Sequence, residues 1–139
     1  MMSDNYHLDT AYIAGLFDGE GSLTYKKYKE KKKNGTYDCW RISMEIAMTD
    51  QNVIELVHET LMVGTVRPKK VPKGYKKQWR WRCTFRDCLA VCKLLWPHVV
   101  VKLHDIEKVI DHYEPNIQSL DDNVVDIQWY KQWVGGKHD

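Results

Sequence analysis

The alternation of apolar and polar residues along the chain predicts two β-hairpins. Asn34 and Gly35 form a dipeptide typical of a tight hairpin turn, and alternating runs flank it on both sides. A second pair of alternating runs contains Pro68, which restricts its strand to an edge of a sheet because proline cannot donate a ladder hydrogen bond. The four predicted strands cover residues 22–28, 37–48, 65–71 and 76–85.

Apolar residues at helical spacing predict helices before, between and after these hairpins. Thr49 or Asp50 caps the helix between the hairpins, Gly64 ends it, and Pro97 ends the helix after the second hairpin. The order helix, strand, strand, helix, strand, strand, helix, helix favours a mixed α/β (α+β) domain, αββαββα, in which helices back a four-stranded antiparallel sheet. The predicted helices begin near residues 11, 50, 86, 105 and 121, and the last lies in a C-terminal extension at about 116–134.

Length and composition indicate one globular domain over residues 1–139, with its core at about 8–113. The chain has 139 residues, of which 43% are apolar and 29% charged, enough for one core but not for two. No apolar run approaches the roughly 20 residues that span a bilayer, and no secretion signal pattern opens the chain. We therefore expect an intracellular protein, cytoplasmic, organellar or phage-encoded, without a membrane partner. The four cysteines lack paired C-x-x-C spacing, which favours reduced core thiols, with a zinc site as the alternative.

Positive charge is concentrated in two windows, although the net charge is only +2. Residues 26–33 hold six lysines and one acid, and residues 67–82 hold eight Lys and Arg and no acid. The windows carry 14 of 21 positive charges and 1 of 19 negative ones, so the remainder has 7 positive and 18 negative, a net charge of −11. Such polarity predicts a basic face suited to a nucleic-acid partner. For the first window, a solvated hairpin tip is the alternative.

Much of this basic charge falls on alternate strand residues that share one face. Arginine and glutamine on a strand offer forked donors that match guanine edges and phosphates, and plain solvent exposure is the alternative. The residues predicted to bind DNA on that face are Thr24, Lys26, Tyr28, Arg41, Ser43, Glu45, Arg67, Lys69, Gln78, Arg80 and Arg82. On the opposite face of the fourth strand, the residues expected in the core are Trp79, Trp81, Cys83 and Phe85.

The first predicted helix carries an almost bare stripe and ends on two acids. Ala11, Gly15 and Gly19 are four residues apart and therefore line one side of the helix. Such a stripe suits the close approach of a second backbone, as in helix pairs within membranes. Asp18 and Glu20 fall at the helix C-terminus, where the helix dipole disfavours anions. Either an ordinary Asp-Gly turn or a functional site accounts for acids there.

Residues 13–21, IAGLFDGEG, resemble the LAGLIDADG motif of homing endonucleases. The order of the following elements extends the resemblance over about residues 8–113. The resemblance implies a site-specific endonuclease that makes a metal-dependent double-strand break in a long, roughly palindromic DNA target. The single motif copy implies a homodimer that meets through the motif helix. The interface residues so implied are Ala11, Ala14, Gly15, Asp18 and Gly19.

The resemblance also assigns roles at the cleavage site. Glu20 corresponds to the metal-binding acid, the backbone carbonyl of Gly19 to a co-ligand, and Lys102 to the active-site lysine. The implied cofactor is Mg²⁺, with Mn²⁺ or Ca²⁺ able to substitute for binding, and no organic cofactor is expected. The family often carries a water-orienting glutamine where this chain has Met48, and Gln51 is the alternative source of that group.

The same resemblance leaves other functions open. LAGLIDADG proteins include RNA maturases that assist intron splicing, and a basic sheet would serve that role as well. A DNA-binding protein that does not cleave is a third interpretation. The acids at positions 18 and 20 favour cleavage.

Overall fold

The computed structural model describes residues 8–115 and 125–136 and confirms the predicted αββαββα order. The part of the predicted last helix at residues 121–124 lies outside the described residues, and the observed helix begins at Ile127. The elements are α1 (Thr10–Glu20), β1 (Gly21–Lys32), β2 (Gly35–Met48), α2 (Gln51–Leu61), β3 (Thr65–Lys69), β4 (Gln78–Thr84), α3 (Arg86–Leu95), α4 (Leu103–Tyr113) and α5 (Ile127–Gly136).

The four strands form one antiparallel sheet in the order β1-β2-β4-β3. β3 is therefore an edge strand, as Pro68 predicts. Helices α1 to α4 pack against the sheet, and α5 packs on α3. The helix-facing side buries large residues such as Met44, Ile46 and Trp81, which leaves the other side of the sheet open.

The first hairpin is longer than its alternation predicts. β1 and β2 pair without interruption from Gly21 opposite Ile46 to Lys32 opposite Gly35. β4, however, pairs with β2 only from Ser43 to Met48. The end of the hairpin therefore projects beyond the four-stranded part of the sheet as a two-stranded ribbon.

Buried polar contacts connect the elements at the back of the sheet. Trp81 donates its indole N–H to the carbonyl of Val63 at 2.8 Å, and the Tyr130 hydroxyl donates to the carbonyl of Leu61 at 2.6 Å. Burial raises the pKa of Tyr130 far above its ordinary value, so this hydroxyl keeps its proton. Through Tyr130, α5 is joined to the end of α2 and becomes part of the core.

The C-terminal ends of α2 and β4 also differ from the prediction. α2 ends at Leu61 instead of near Gly64, because Met62 adopts the left-handed conformation with φ 61°. Phe85 is 53% exposed with φ 53°, so it turns the chain into α3 and does not continue the core face of β4. Neither positive φ is expected for a bulky residue from local sequence.

Three of the four cysteines, Cys83, Cys88 and Cys92, are buried free thiols, and Cys39 is half-buried. In the ranges 8–115 and 125–136, no helix is both long and apolar enough to span a membrane.

Candidate functional site

α1 passes directly into β1, and this junction places Glu20 at the edge of the sheet. Asp9 caps the helix by accepting the N–H of Tyr12 at 2.8 Å. At the other end the N–H of Gly21 donates to the carbonyl of Phe17. A Cβ on Gly21 would lie 2.6 Å from that carbonyl oxygen, so only glycine allows the helix to end here.

Asp18 joins the end of α1 to the segment that precedes α4. Its carboxylate accepts the N–H groups of Val100 at 2.6 Å and Lys102 at 3.0 Å. In return, Lys102 Nζ donates to the backbone carbonyl of Asp18 at 3.0 Å. Burial raises the pKa of Asp18, but the backbone N–H groups of residues 100–102 and the charge of Lys102 together lower it below its ordinary value. The ionised carboxylate is therefore stabilised despite the unfavourable helix dipole.

Glu20 has the opposite environment. Its side chain is exposed, and within the described part of the chain it makes no hydrogen bond or ion pair. Its carboxylate and the adjacent backbone carbonyls are hard oxygen donors of the kind that Mg²⁺ prefers. No group of three His, Cys, Asp or Glu side chains among the described residues is placed to hold a metal. One chain thus offers suitable donors, but not a complete coordination shell.

The groups around this helix end include the predicted lysine but no glutamine at the end of β2. Lys102 Nζ reaches the C-terminal turn of α1 through its bond to Asp18 and lies 5.9 Å from the ring centroid of Phe17. Met48, the last residue of β2, packs against the core and offers no polar group. Gln51 is exposed at the start of α2.

The outer side of α1 is bare, as the spacing of small residues predicts. Ala11, Gly15 and Gly19 are all exposed, and a Cβ added to either glycine would meet nothing within 4 Å. The fold of one chain therefore gives no steric reason for glycine at these positions. Ala14 was predicted at the same interface, but it is fully buried in the core of its own chain. That prediction is wrong, because Ala14 lies on the inner side of the helix, as Ile13 and Phe17 do.

Strand register brings the residues predicted to bind DNA to the open face of the sheet. Ser43 lies on this side but is only 7% exposed. Neighbouring residues therefore cover most of Ser43, which was predicted to contact DNA. Cross-strand partners on this face include Thr24 with Ser43, Lys26 with Arg41, Glu45 with Arg82, Arg67 with Arg80, and Lys69 with Gln78.

Several cations on this face are held by neighbouring side chains. Glu45 pairs with Lys69 at 3.3 Å and with Arg80 at 3.4 Å. The guanidinium of Arg41 lies 5.6 Å from the ring centroid of Tyr28, within cation–π range. Glu45 is thus placed on the predicted face, and its carboxylate contacts two of the basic residues there.

The projecting ribbon adds positions to this face that the sequence prediction missed. Lys32 and Tyr37 lie on the same side as Tyr28, and Lys32 Nζ is 5.9 Å from the Tyr37 ring centroid. Lysines on both sides of β1 hide the alternation there, so the strand was predicted to stop at residue 28. On the reverse side, Asp38 pairs with Lys27 and Lys29, each at 3.3 Å. Hydrogen bonds to these two lysines lower the pKa of Asp38.

Solved structures of homing endonucleases share this fold. The homing endonuclease I-TnaI has 15% sequence identity and a TM-score of 0.59, with 93% of this chain and 99% of that one covered. The homing endonuclease I-CvuI, in complex with its target in the presence of Ca, has 17% identity and a TM-score of 0.54, with 91% and 94% covered. I-SmaMI, a LAGLIDADG homing endonuclease bound to cleaved DNA, has 18% identity and a TM-score of 0.58, with 90% and 44% covered. At these identities the likeness shows the fold alone.

The comparison with protein families extends this likeness to the sequence. No curated protein matches the chain. Residues 13–96, from the first turn of α1 to just past the end of α3, match the family model described as LAGLIDADG endonuclease. Because this match covers more than half of the 139 residues, the chain belongs to the LAGLIDADG endonuclease family.

Proposed function

We propose that this protein is a site-specific homing endonuclease that makes a metal-dependent double-strand break in a long, roughly palindromic DNA target. The observation that carries the proposal is the exposed carboxylate of Glu20, which has no partner among the described residues and lies where the bare-sided helix α1 meets the basic sheet. This acid lies next to the basic face of the sheet. Its negative charge repels DNA phosphates unless a cation lies between them.

The proposed function includes a homodimer formed through α1. Two copies related by a two-fold axis meet with the same surface, and the exposed glycines at positions 15 and 19 allow their helix backbones to approach closely. Such an approach brings the two Glu20 side chains together and doubles the oxygen donors at the junction. It also sets two basic sheet faces side by side, each able to follow a major groove of one half-site.

The donor set fits a divalent cation, with Glu20 and the carbonyl of Gly19 as its ligands. A bound Mg²⁺ would offset the charge of carboxylates and phosphates, activate water and stabilise the leaving oxygen. Mn²⁺ or Ca²⁺ would substitute for binding. Lys102 supplies a positive charge at the same helix end, where its contact with the Asp18 carbonyl holds it. In the proposed complex the scissile phosphate would lie close to this charge. Asp18 itself fixes the backbone of Lys102.

The test is cleavage of a plasmid library that carries a randomised insert, with and without Mg²⁺. We expect double-strand breaks at one common sequence, and none when the metal is chelated. Selective binding without cleavage would indicate a DNA-binding protein that does not cleave its target. Faster splicing of an intron RNA without DNA cleavage would favour the maturase alternative.

Glu20→Gln should abolish metal-dependent cleavage and leave DNA binding within a few-fold of the parent, because the amide is a poor ligand for Mg²⁺. Cleavage of the selected target and gel-shift titration measure the two effects. Glu59→Gln, which changes an exposed acid on α2, is the control and should cut normally. Loss of binding together with loss of cleavage would show that Glu20 supports the fold instead.

A further inference from the structure

The basic face of the sheet contains one acid at its centre. Where β2 pairs with β4, Glu45 is the only carboxylate on this face among the described residues. Its cross-strand neighbours are Ser22 on β1 and Arg82 on β4, and its side chain is 19% exposed. A negative charge at this position opposes the approach of DNA phosphates.

Fold stability gives little reason for this acid. The pairs that Glu45 makes with Lys69 and Arg80 are partly exposed, with side-chain exposures of 39% and 34% for the two cations. Ion pairs of this kind contribute little to stability in water. The reason for Glu45 therefore lies in its effect on the two cations.

The two carboxylate oxygens of Glu45 contact cations on two different strands. Oε1 lies 3.4 Å from an Arg80 guanidinium nitrogen on β4, and Oε2 lies 3.3 Å from Lys69 Nζ on β3. Arg80 also faces Arg67 across the β3–β4 ladder, so without an acid nearby these guanidinium groups would repel each other. One edge of Arg80 is held by Glu45, and its other N–H donors remain available to a base edge.

We propose that Glu45 is a specificity-determining positioning residue, which fixes Arg80 for base readout and keeps Lys69 from binding phosphate indiscriminately. Selective recognition requires poor binding to wrong partners as well as good binding to the right one, and a carboxylate on a DNA-binding face supplies that discrimination. This inference rests on the proposed DNA-binding function.

The experiment compares Glu45→Gln with Glu30→Gln. Glu30 lies on the same side of the first hairpin but opposite Tyr37, outside the four-stranded part, and it accepts a hydrogen bond from Cys39 at 3.2 Å. Both variants remove one negative charge, but only the first releases Arg80 and Lys69. Each protein first selects from a randomised duplex library. Its affinity is then measured for the sequence that the parent selects and for a mixed-sequence duplex, over a range of salt concentrations.

We expect Glu45→Gln to bind the mixed-sequence duplex several-fold more tightly than the parent. Its log–log salt slope should steepen by about 0.9 for each additional phosphate contacted. Its preference for the selected sequence should fall about tenfold, the discrimination that one arginine–guanine pair can provide. Glu30→Gln should keep the selectivity of the parent. In the Glu45→Gln background, Arg80→Ala should reduce selectivity less than it does in the parent.

Three outcomes would overturn the inference. Equal effects of the two substitutions would mean that only total charge matters. Loss of preference at a single base pair, with unchanged mixed-sequence affinity, would mean that Glu45 contacts a base directly. Selectivity of Glu45→Gln equal to that of the parent would mean that Glu45 does not determine specificity by positioning Arg80. If instead the parent protein selects no sequence, the proposed DNA-binding function fails and this inference fails with it.

Discussion

Asp18 and Glu20 are two residues apart, but the fold places them in opposite environments. Asp18 accepts two backbone N–H groups from the segment before α4. Glu20 is exposed and makes no contact of this kind among the described residues. The first acid therefore stabilises the local structure, and the second is available to a ligand.

Asp18→Asn should lower the free energy of unfolding by about 1 kcal/mol at neutral pH, because an amide accepts weaker hydrogen bonds than a carboxylate. The pKa of Asp18 is lowered in the folded protein, so its stabilisation is complete above the ordinary value of 3.8 and is lost as the pH falls through the lower folded value. The difference between parent and variant should therefore shrink in acid. Urea unfolding over a pH series measures it, and a difference that stays constant to the lowest pH would contradict this role.

Lys102→Met should slow cleavage by about 10²-fold if the ammonium group assists proton transfer at the reacting phosphate. Binding to the selected target should change little. Lys102→Arg, which keeps the charge and a donor for the Asp18 carbonyl, is the control and should retain part of the rate. Single-turnover cleavage measures the effect. An unchanged rate for the methionine variant would reduce Lys102 to a capping group at the end of α1.

At the scale of the element, α1 has two unlike sides. Ile13, Ala14 and Phe17 are fully buried on one side, whereas Gly15 and Gly19 leave backbone exposed on the other. Each glycine within a helix is less favourable than alanine by about 1 kcal/mol. Nothing among the described residues crowds these positions, and the proposed contact with a second copy would account for the bare side.

Gly15→Leu should convert the proposed dimer into a monomer without loss of monomer stability. The added side chain meets open space in one chain, and leucine is favoured over glycine in a helix by about 1 kcal/mol. Gly135→Leu is the matched control, because Gly135 is also an exposed helical glycine with nothing within 4 Å, but lies on α5. Sedimentation velocity distinguishes the two states. A Gly15→Leu variant that still dimerises would exclude this side of α1 as the interface.

At the scale of the whole molecule, charge is divided between the two sides of the sheet. The open face carries basic strand residues, and eight of the 15 acids among the described residues lie in helices α1 to α4, which back the sheet. This arrangement orients the molecule toward a polyanion before any specific contact forms. It also makes binding dependent on salt.

DNA affinity should fall steeply as salt rises, with a log–log slope of about −0.9 for each phosphate neutralised. Arg67→Gln on the open face should make that slope shallower by about 0.9 if its side chain contacts one phosphate. Lys108→Gln on α4, at the back of the sheet, removes the same charge and should leave the slope unchanged. Equal changes in the two variants would argue against a localised DNA-binding face.

Local patterns in the sequence predicted most of the fold and much of the site. The Asn34-Gly35 turn and the edge position of Pro68 follow from backbone chemistry that acts within a few residues. The motif helix, the basic strands and the order of the elements follow from spacing and charge in the same way. The prediction failed at Phe85 and Met62, two bulky residues at positive φ, a conformation that their local sequence does not favour.

By itself, the sequence determined which residues could share a helix side or a strand face, because periodicity depends only on local geometry. Only the tertiary structure decided which side was covered. In the folded chain Ala14 is buried, and Asp18 accepts hydrogen bonds from a segment more than 80 residues away. Glu20 has no partner among the described residues, and Glu45 pairs with cations on two other strands. Contacts between residues distant along the chain arise from packing, which local spacing does not encode.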